Sequence, residues 1–274
     1  MSLEVILILF GVGIAAGILS GLFGVGGGII IVPSLIAVYS FINFNSPYSV
    51  HIAIATSLFT IIFTSISSSF KHYRNGNVIL SAALLIGFSS VVTVYLFSKA
   101  AIALPGETLK KIFSVLLILI AVKMLFDKKG KDEGNTSQIS EKDLKFNKWL
   151  GAAIGVLSGT IAAFSGLGGG IFVVPLMHYL MKFSFKKAIG TSSAAILLTS
   201  IAGVLSYFFN MPSGAVDLPY AFGMVDTRSA LPIIAASIPF AQIGVYINKR
   251  THHYLLTKLF AVFILIVSAR MIFF

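Results

Sequence analysis

Residues Gly21–Pro33 read GLFGVGGGIIIVP, a run of small residues inside a nearly uncharged apolar segment. The pattern returns at Gly166–Pro175 as GLGGGIFVVP. Gly24, Gly26, Gly27, Gly28, Val32 and Pro33 align with Gly166, Gly168, Gly169, Gly170, Val174 and Pro175 at a constant offset of 142. Glycine clusters weaken a helix because the unsubstituted backbone has more freedom to lose, and a helix broken inside hydrocarbon exposes amides that no water can satisfy. Such a break survives only where protein or a wet cavity covers it. Interrupted apolar segments at matching places in two halves of a chain point to a transporter's substrate site, with half-helix amino termini turned toward an anion. Small residues also let membrane helices pack closely, and the sequence alone leaves that reading open. A dinucleotide loop is excluded: the glycine spacing is wrong, and no soluble strand precedes the run and no acidic residue follows about 20 positions on.

Composition places these breaks in a bilayer. The chain has 274 residues, 57% hydrophobic and only 11% charged, against about 25% charged in an average soluble domain. Its apolar runs are helix-length and not alternating, which argues against an outer-membrane barrel. The start, Ser2–Leu22, lacks a basic leader and runs into more membrane-like sequence, so it is expected to be a retained span. The net charge of +11 comes from basic residues at the ends of apolar segments, where they orient a membrane protein, so nucleic acid is not an expected partner. With zero cysteines there is no disulfide or thiol chemistry.

Five apolar segments are read in residues 1–126: about Glu4–Leu22, Gly27–Ile42, Val50–Phe70, Val78–Phe97 and Leu109–Phe126. Five more occupy 149–274: about Trp149–Ser165, Gly168–Met181, Ala188–Phe209, Thr227–Asn248 and Leu255–Phe273. The second of each set is shorter than the roughly 20 residues a span needs, so it is a half-helix or a re-entrant leg. Between the halves, 127–148 is polar, carries both signs of charge and reads as a linker. The duplication extends past the glycines. Ala55, Thr56 and Ser57 match Gly190, Thr191 and Ser192 at offset 135, and Gly76 and Val78 match Gly223 and Val225 at offset 147.

Charge decides the relation of the halves. If each half crosses an odd number of times, one face collects fifteen of the twenty basic residues and the other only Lys99, Lys110, Lys111, Arg228 and Arg270; an even number gives 11 against 9. The positive-inside rule favours the asymmetric split. The expected fold is an all-α polytopic membrane protein of two inverted repeats, with ten spans or eight plus two re-entrant hairpins. Its linker lies in the cytoplasm and both termini outside, in the cytoplasmic membrane.

All nine acids fall at segment ends or in loops, so no mid-membrane carboxylate is expected as proton carrier or catalytic acid. The five histidines show no metal-ligand spacing, and neither a metal nor a cofactor is expected. What the interior offers is neutral donors: the glycine amides with Ser20, Thr56 and Ser57 in one half, and Ser158, Ser165, Thr191 and Ser192 in the other. Hydroxyls in membrane helices commonly bond back to their own helix or join neighbours. Their recurrence as Thr-Ser downstream of each break supports instead one central anion site where both glycine turns and both Thr-Ser pairs converge. His51 and Lys186 occupy matching positions in the two halves and are candidate gating or coupling groups at opposite mouths, or simply interfacial side chains.

On the paired Gly-x-Gly-Gly-Gly-(apolar)3-Val-Pro motifs, each followed by Thr-Ser, the chain resembles the sulfite exporter TauE/SafE family of membrane permeases. Gly24, Gly26, Gly27, Gly28, Pro33, Thr56 and Ser57 carry the first motif, and Gly166, Gly168, Gly169, Gly170, Pro175, Thr191 and Ser192 the second. The resemblance implies transport of small sulfur-containing anions such as sulfite, sulfoacetate or related organosulfonates. One departure is that four more residues separate Ser158 from Gly166 than separate Ser20 from Gly24, so the breaks are expected to differ in geometry.

The expectation is therefore a secondary transporter, not an enzyme, exporting an anion by alternating access. Its partners are that anion and the bilayer; the sequence allows a homodimer without requiring one. An anion leaving a negative cytosol gains about 2.3 kcal/mol per charge per 100 mV, which lets export run without a coupled ion. An ion-coupled uptake permease for another anion is the alternative within transport, and a non-transporting membrane enzyme or assembly protein the alternative outside it.

Overall fold

The computed structural model describes residues 2–44, 46–126, 147–212 and 220–250, with 261, 262, 265 and 269. The helices are α1 (Leu3–Phe23), α2 (Gly28–Phe41), α3 (Ser49–Arg74), α4 (Leu80–Ala103), α5 (Gly106–Phe126), α6 (Lys148–Ser165), α7 (Gly170–Met181), α8 (Phe185–Phe209) and α9 (Thr227–Arg250). Each apolar segment read from the sequence up to Asn248 is a helix at nearly the expected place. The tenth segment, Leu255–Phe273, and most of the linker lie outside the described residues. Among the described residues, α1, α3, α4, α6, α8 and α9 are long and apolar enough to cross a bilayer, so this is a multi-pass, all-α membrane protein. As expected, α2 and α7 are short, 14 and 12 residues, and each begins at a glycine break. Pro232 and Pro239 lie inside α9, which remains helical through both.

The helices meet through glycine. A Cβ on Gly13, Gly17 or Gly21 of α1 would fall 2.5, 2.6 or 2.1 Å from the Ile233, Ser237 or Ala241 carbonyl oxygen of α9. The same contact joins α6 to α4: a Cβ on Gly155 or Gly159 would fall 2.4 Å from the Ile86 or Ser90 carbonyl oxygen. Missing side chains thus let the backbones touch, which is how membrane helices gain dispersion energy without a hydrophobic drive. A Gly21→Ala variant is expected to lose about 1–3 kcal/mol by overpacking, read as a lower melting midpoint in detergent. Gly11→Ala, with nothing within 4 Å of the new methyl, should melt like the parent.

At the centre lie α3 and α8, the most enclosed long helices. Leu58 packs on Gly203, while Ile61 and Ile196 both lie against Gly26 and Gly168, so α3 and α8 run antiparallel. Cross-contacts recur at the offsets already seen in the sequence: Thr64 Oγ1 is 3.2 Å from Ser237 Oγ, and Ser90 Oγ is 2.5 Å from Thr199 Oγ1.

One element was not expected. Ala221–Phe222 and Val225–Asp226 form a two-stranded antiparallel hairpin, with Ala221 opposite Asp226 and Phe222 opposite Val225. Gly223 turns it with φ +59°, and Phe222 stacks on Phe208 at 4.7 Å. The hairpin folds Asp226 inward at 8% exposure. Its place at a segment end is the one read from the sequence; its enclosure is not. Asp226 does open α9, but its carboxylate is enclosed, accepting from Tyr39 OH, from Ser229 Oγ and from the amides of Arg228 and Ser229. It therefore caps α9 and ties it to α2.

Candidate functional site

Both helices ahead of the breaks end in the left-handed region, α1 at Gly24 (φ +65°) and α6 at Gly166 (φ +67°). Gly26 and Gly27 follow at +76° and +84°, and Gly168 and Gly169 at +67° and +78°. In each break three of four successive residues lie in this region, which needs glycine, since a Cβ there meets the following carbonyl. The near-equality of these angles overturns the expectation of unequal breaks. The spacing argument paired Ser20 with Ser158, whereas at offset 142 Ser158 corresponds to Ala16. A Cβ on Gly27 would press on Ala16 and one on Gly169 on Ser158.

The two breaks lie against each other. A Cβ on Gly28 would fall 2.6 Å from the Gly166 carbonyl oxygen, and one on Gly170 2.6 Å from the Gly24 carbonyl oxygen. Hydroxyls hold them there. Ser57 on α3 donates to the Gly166 carbonyl, and Ser192 on α8 donates to the Gly24 carbonyl, each at 3.0 Å. Each serine therefore closes the terminal carbonyl of the opposite interrupted helix. The threonines accept across the fold: Thr56 Oγ1 from the Asp226 amide and Thr191 Oγ1 from the Ile79 amide, both at 2.9 Å. Ser165 Oγ bonds its own helix at Ile161 O. The structure thus brings the Thr-Ser pairs to the breaks, with the serine protons already committed to carbonyls.

Other donors are uncommitted. Among the described residues, no backbone hydrogen bond is made by the amides of Gly26, Gly27, Gly168 and Gly169. The hydroxyls of Ser20, Ser65 and Ser200 are buried without a partner. Ser200 Oγ lies 3.3 Å from where a Cβ of Gly168 would be. Ser65 and Ser200 are fully enclosed and stand at offset 135, the offset of the Thr-Ser pairs. Unsatisfied buried polar groups are rare enough to require a reason. Sequence reasoning passed these two over, although Thr64-Ser65 and Thr199-Ser200 repeat the Thr-Ser pattern eight residues downstream on the same two helices.

His51 and Lys186 are not brought together. His51 is enclosed at the start of α3, its Nε2 donating to the Ala101 carbonyl at 3.2 Å, and Lys186 is exposed in the first turn of α8. Among the described residues, no group of three His, Asp or Glu could hold a metal ion. The site is one of neutral donors at helix starts, chemistry suited to an oxyanion.

The family described as sulfite exporter TauE/SafE matches residues 9–271. The chain is 30% identical over 261 residues to a probable membrane transporter protein of Haemophilus influenzae, covering 95% of each. It is 32% identical over 241 residues to one of Methanocaldococcus jannaschii, covering 87% of this chain and 85% of the other. The probable membrane transporter YunE of Bacillus subtilis is 28% identical over 240 residues, 82% and 84% of the two chains. No solved structure matches.

Proposed function

This chain belongs to the sulfite exporter TauE/SafE family of membrane transporters, and from that premise we propose that it exports a small sulfur-containing oxyanion by alternating access. Sulfite, sulfoacetate or a related organosulfonate fits a cradle of neutral donors, because backbone amides and hydroxyls can surround a charged sulfur group without a fixed cation to trap it. The observation that carries the reading is the pair of abutting breaks, with the amides of Gly26, Gly27, Gly168 and Gly169 and the Ser200 hydroxyl unpartnered beside them, and the Ser65 hydroxyl unpartnered at the matching place on α3.

In this reading residues 1–126 and 149–274 are inverted repeats of about five segments each, joined by a cytoplasmic linker at 127–148, with both termini outside the cytoplasmic membrane. Support comes from the antiparallel α3 and α8 and from contacts that recur at offsets 135, 142 and 147. The breaks are packed together in this conformation, so access requires the two halves to part there. Parting breaks the Ser57–Gly166 and Ser192–Gly24 hydrogen bonds, each worth about 0.5–1.5 kcal/mol net.

Export is tested in proteoliposomes loaded with sulfite and clamped at set potentials. Efflux should quicken when the interior is made negative, following the work of about 2.3 kcal/mol per charge per 100 mV. Efflux that ignores voltage, or that needs an imposed proton or sodium gradient, would count against electrogenic export.

A further inference from the structure

Away from the breaks, the carboxyl ends of α3 and α9 flank an open cavity of about 310 Å³ lined by Lys71, Asn75, Tyr246, Lys249 and Arg250. Its size is at the small end of the roughly 300–1,000 Å³ of ligand pockets. Among the described residues none of the three cations has a carboxylate partner, and no acid lines the cavity. Arg250 is held in place by its guanidinium carbon lying 4.6 Å from the Tyr246 ring centre. Basic residues at span ends are ordinary for a membrane protein. Three from two helices converging on one open cavity with an amide side chain are more than that rule requires.

The position adds to the argument. Next to the lining residues Lys71 and Lys249, His72 Nε2 donates to the Gly21 carbonyl at 3.0 Å, and Asn248 Nδ2 donates to the Leu22 carbonyl at 2.5 Å. These two side chains bind the last carbonyls of α1, immediately before the first glycine break. The helix ends that flank the cavity are therefore tied to the end of the interrupted helix by two buried hydrogen bonds.

We propose that this cavity is a second oxyanion site, distinct from the glycine breaks, that holds a phosphate-type group between Lys71, Lys249 and Arg250. A fork of guanidinium donors with two ammonium groups is the chemistry that binds phosphate oxygens by charge-assisted hydrogen bonds. The group can come from the headgroup of an anionic phospholipid in the facing leaflet or from a free oxyanion in solution.

The test uses the full chain in detergent, with the melting midpoint followed against added dioleoyl-phosphatidylglycerol, dioleoyl-phosphatidylcholine and inorganic phosphate. The parent should be stabilised by phosphatidylglycerol or by phosphate and not by phosphatidylcholine. Lys71→Gln/Lys249→Gln/Arg250→Gln should raise the concentration needed for half the shift by about tenfold or more, in keeping with the loss of charge-assisted bonds. Lys71→Arg/Lys249→Arg/Arg250→Lys should retain the response, which separates lost charge from a damaged fold. A response to phosphatidylglycerol alone assigns the site to lipid, and one to phosphate at equal potency assigns it to a soluble anion. An unchanged response in the glutamine variant, or no response of the parent to either anion, overturns the proposal.

Discussion

Gly28→Ala combined with Gly170→Ala is expected to reduce anion flux by about tenfold or more while the protein still inserts and stays monodisperse. Both glycines have helical backbone angles, so alanine brings no conformational penalty of its own. The added methyls land 2.6 Å from the carbonyl oxygens of Gly166 and Gly24 and within 2.9 and 3.0 Å of the Leu167 and Val25 Cα atoms. These obstacles are backbone and cannot rotate away, so the breaks must separate by a fraction of an ångström. Overpacking of this kind costs about 1–3 kcal/mol. Because the strained contact exists only where the breaks meet, it acts on the transport cycle and not on the rest of the bundle. Gly27 or Gly169 would be poorer choices, since their φ of +84° and +78° adds backbone strain to the clash. Flux is read as sulfite efflux from proteoliposomes, with Gly11→Ala as the unaffected control. Parental flux in the double alanine variant would return the glycines to ordinary packing.

The second large effect is a contrast between two serine pairs. Ser65→Ala/Ser200→Ala removes buried hydroxyls that have no partner, so stability should hold or rise, since a buried unsatisfied group costs about 1–3 kcal/mol. Anion affinity should fall by about tenfold or more, as two donors to a charged group are lost at about 1.5–3 kcal/mol each. Ser57→Ala/Ser192→Ala should do the reverse in stability. It strands the Gly166 and Gly24 carbonyls, costing about 1–3 kcal/mol each. Melting in detergent and equilibrium binding of sulfite, measured on both variants, separate the roles. A Ser65→Ala/Ser200→Ala protein that binds sulfite as the parent does would remove these hydroxyls from the site.

Much of this architecture can be read from the chain because its causes are local. The glycine clusters force α1 and α6 to end where they do, and the lengths of α2 and α7 follow from the distance between the break and the next polar turn. The hairpin at 221–226 was not legible, because strands of two residues leave no periodicity, and with it the enclosure of Asp226 by Tyr39 and Ser229 was missed. Ser65 was passed over for a related reason: in the run Thr64–Ser69 (TSISSS) every hydroxyl looks equally able to bond its own helix, and Ser68 Oγ does bond back, to the Ser65 carbonyl.

By itself the sequence determined that two interrupted helices exist, that they correspond residue by residue, and that neutral donors surround them. Those facts depend on backbone freedom and hydropathy, which neighbouring residues fix. Only the tertiary structure decided which donors are committed and which remain available. The partners of Ser57 and Ser192 lie 109 and 168 residues away along the chain, and a hydroxyl's role is set by the atom it meets across the fold, not by its place in the sequence.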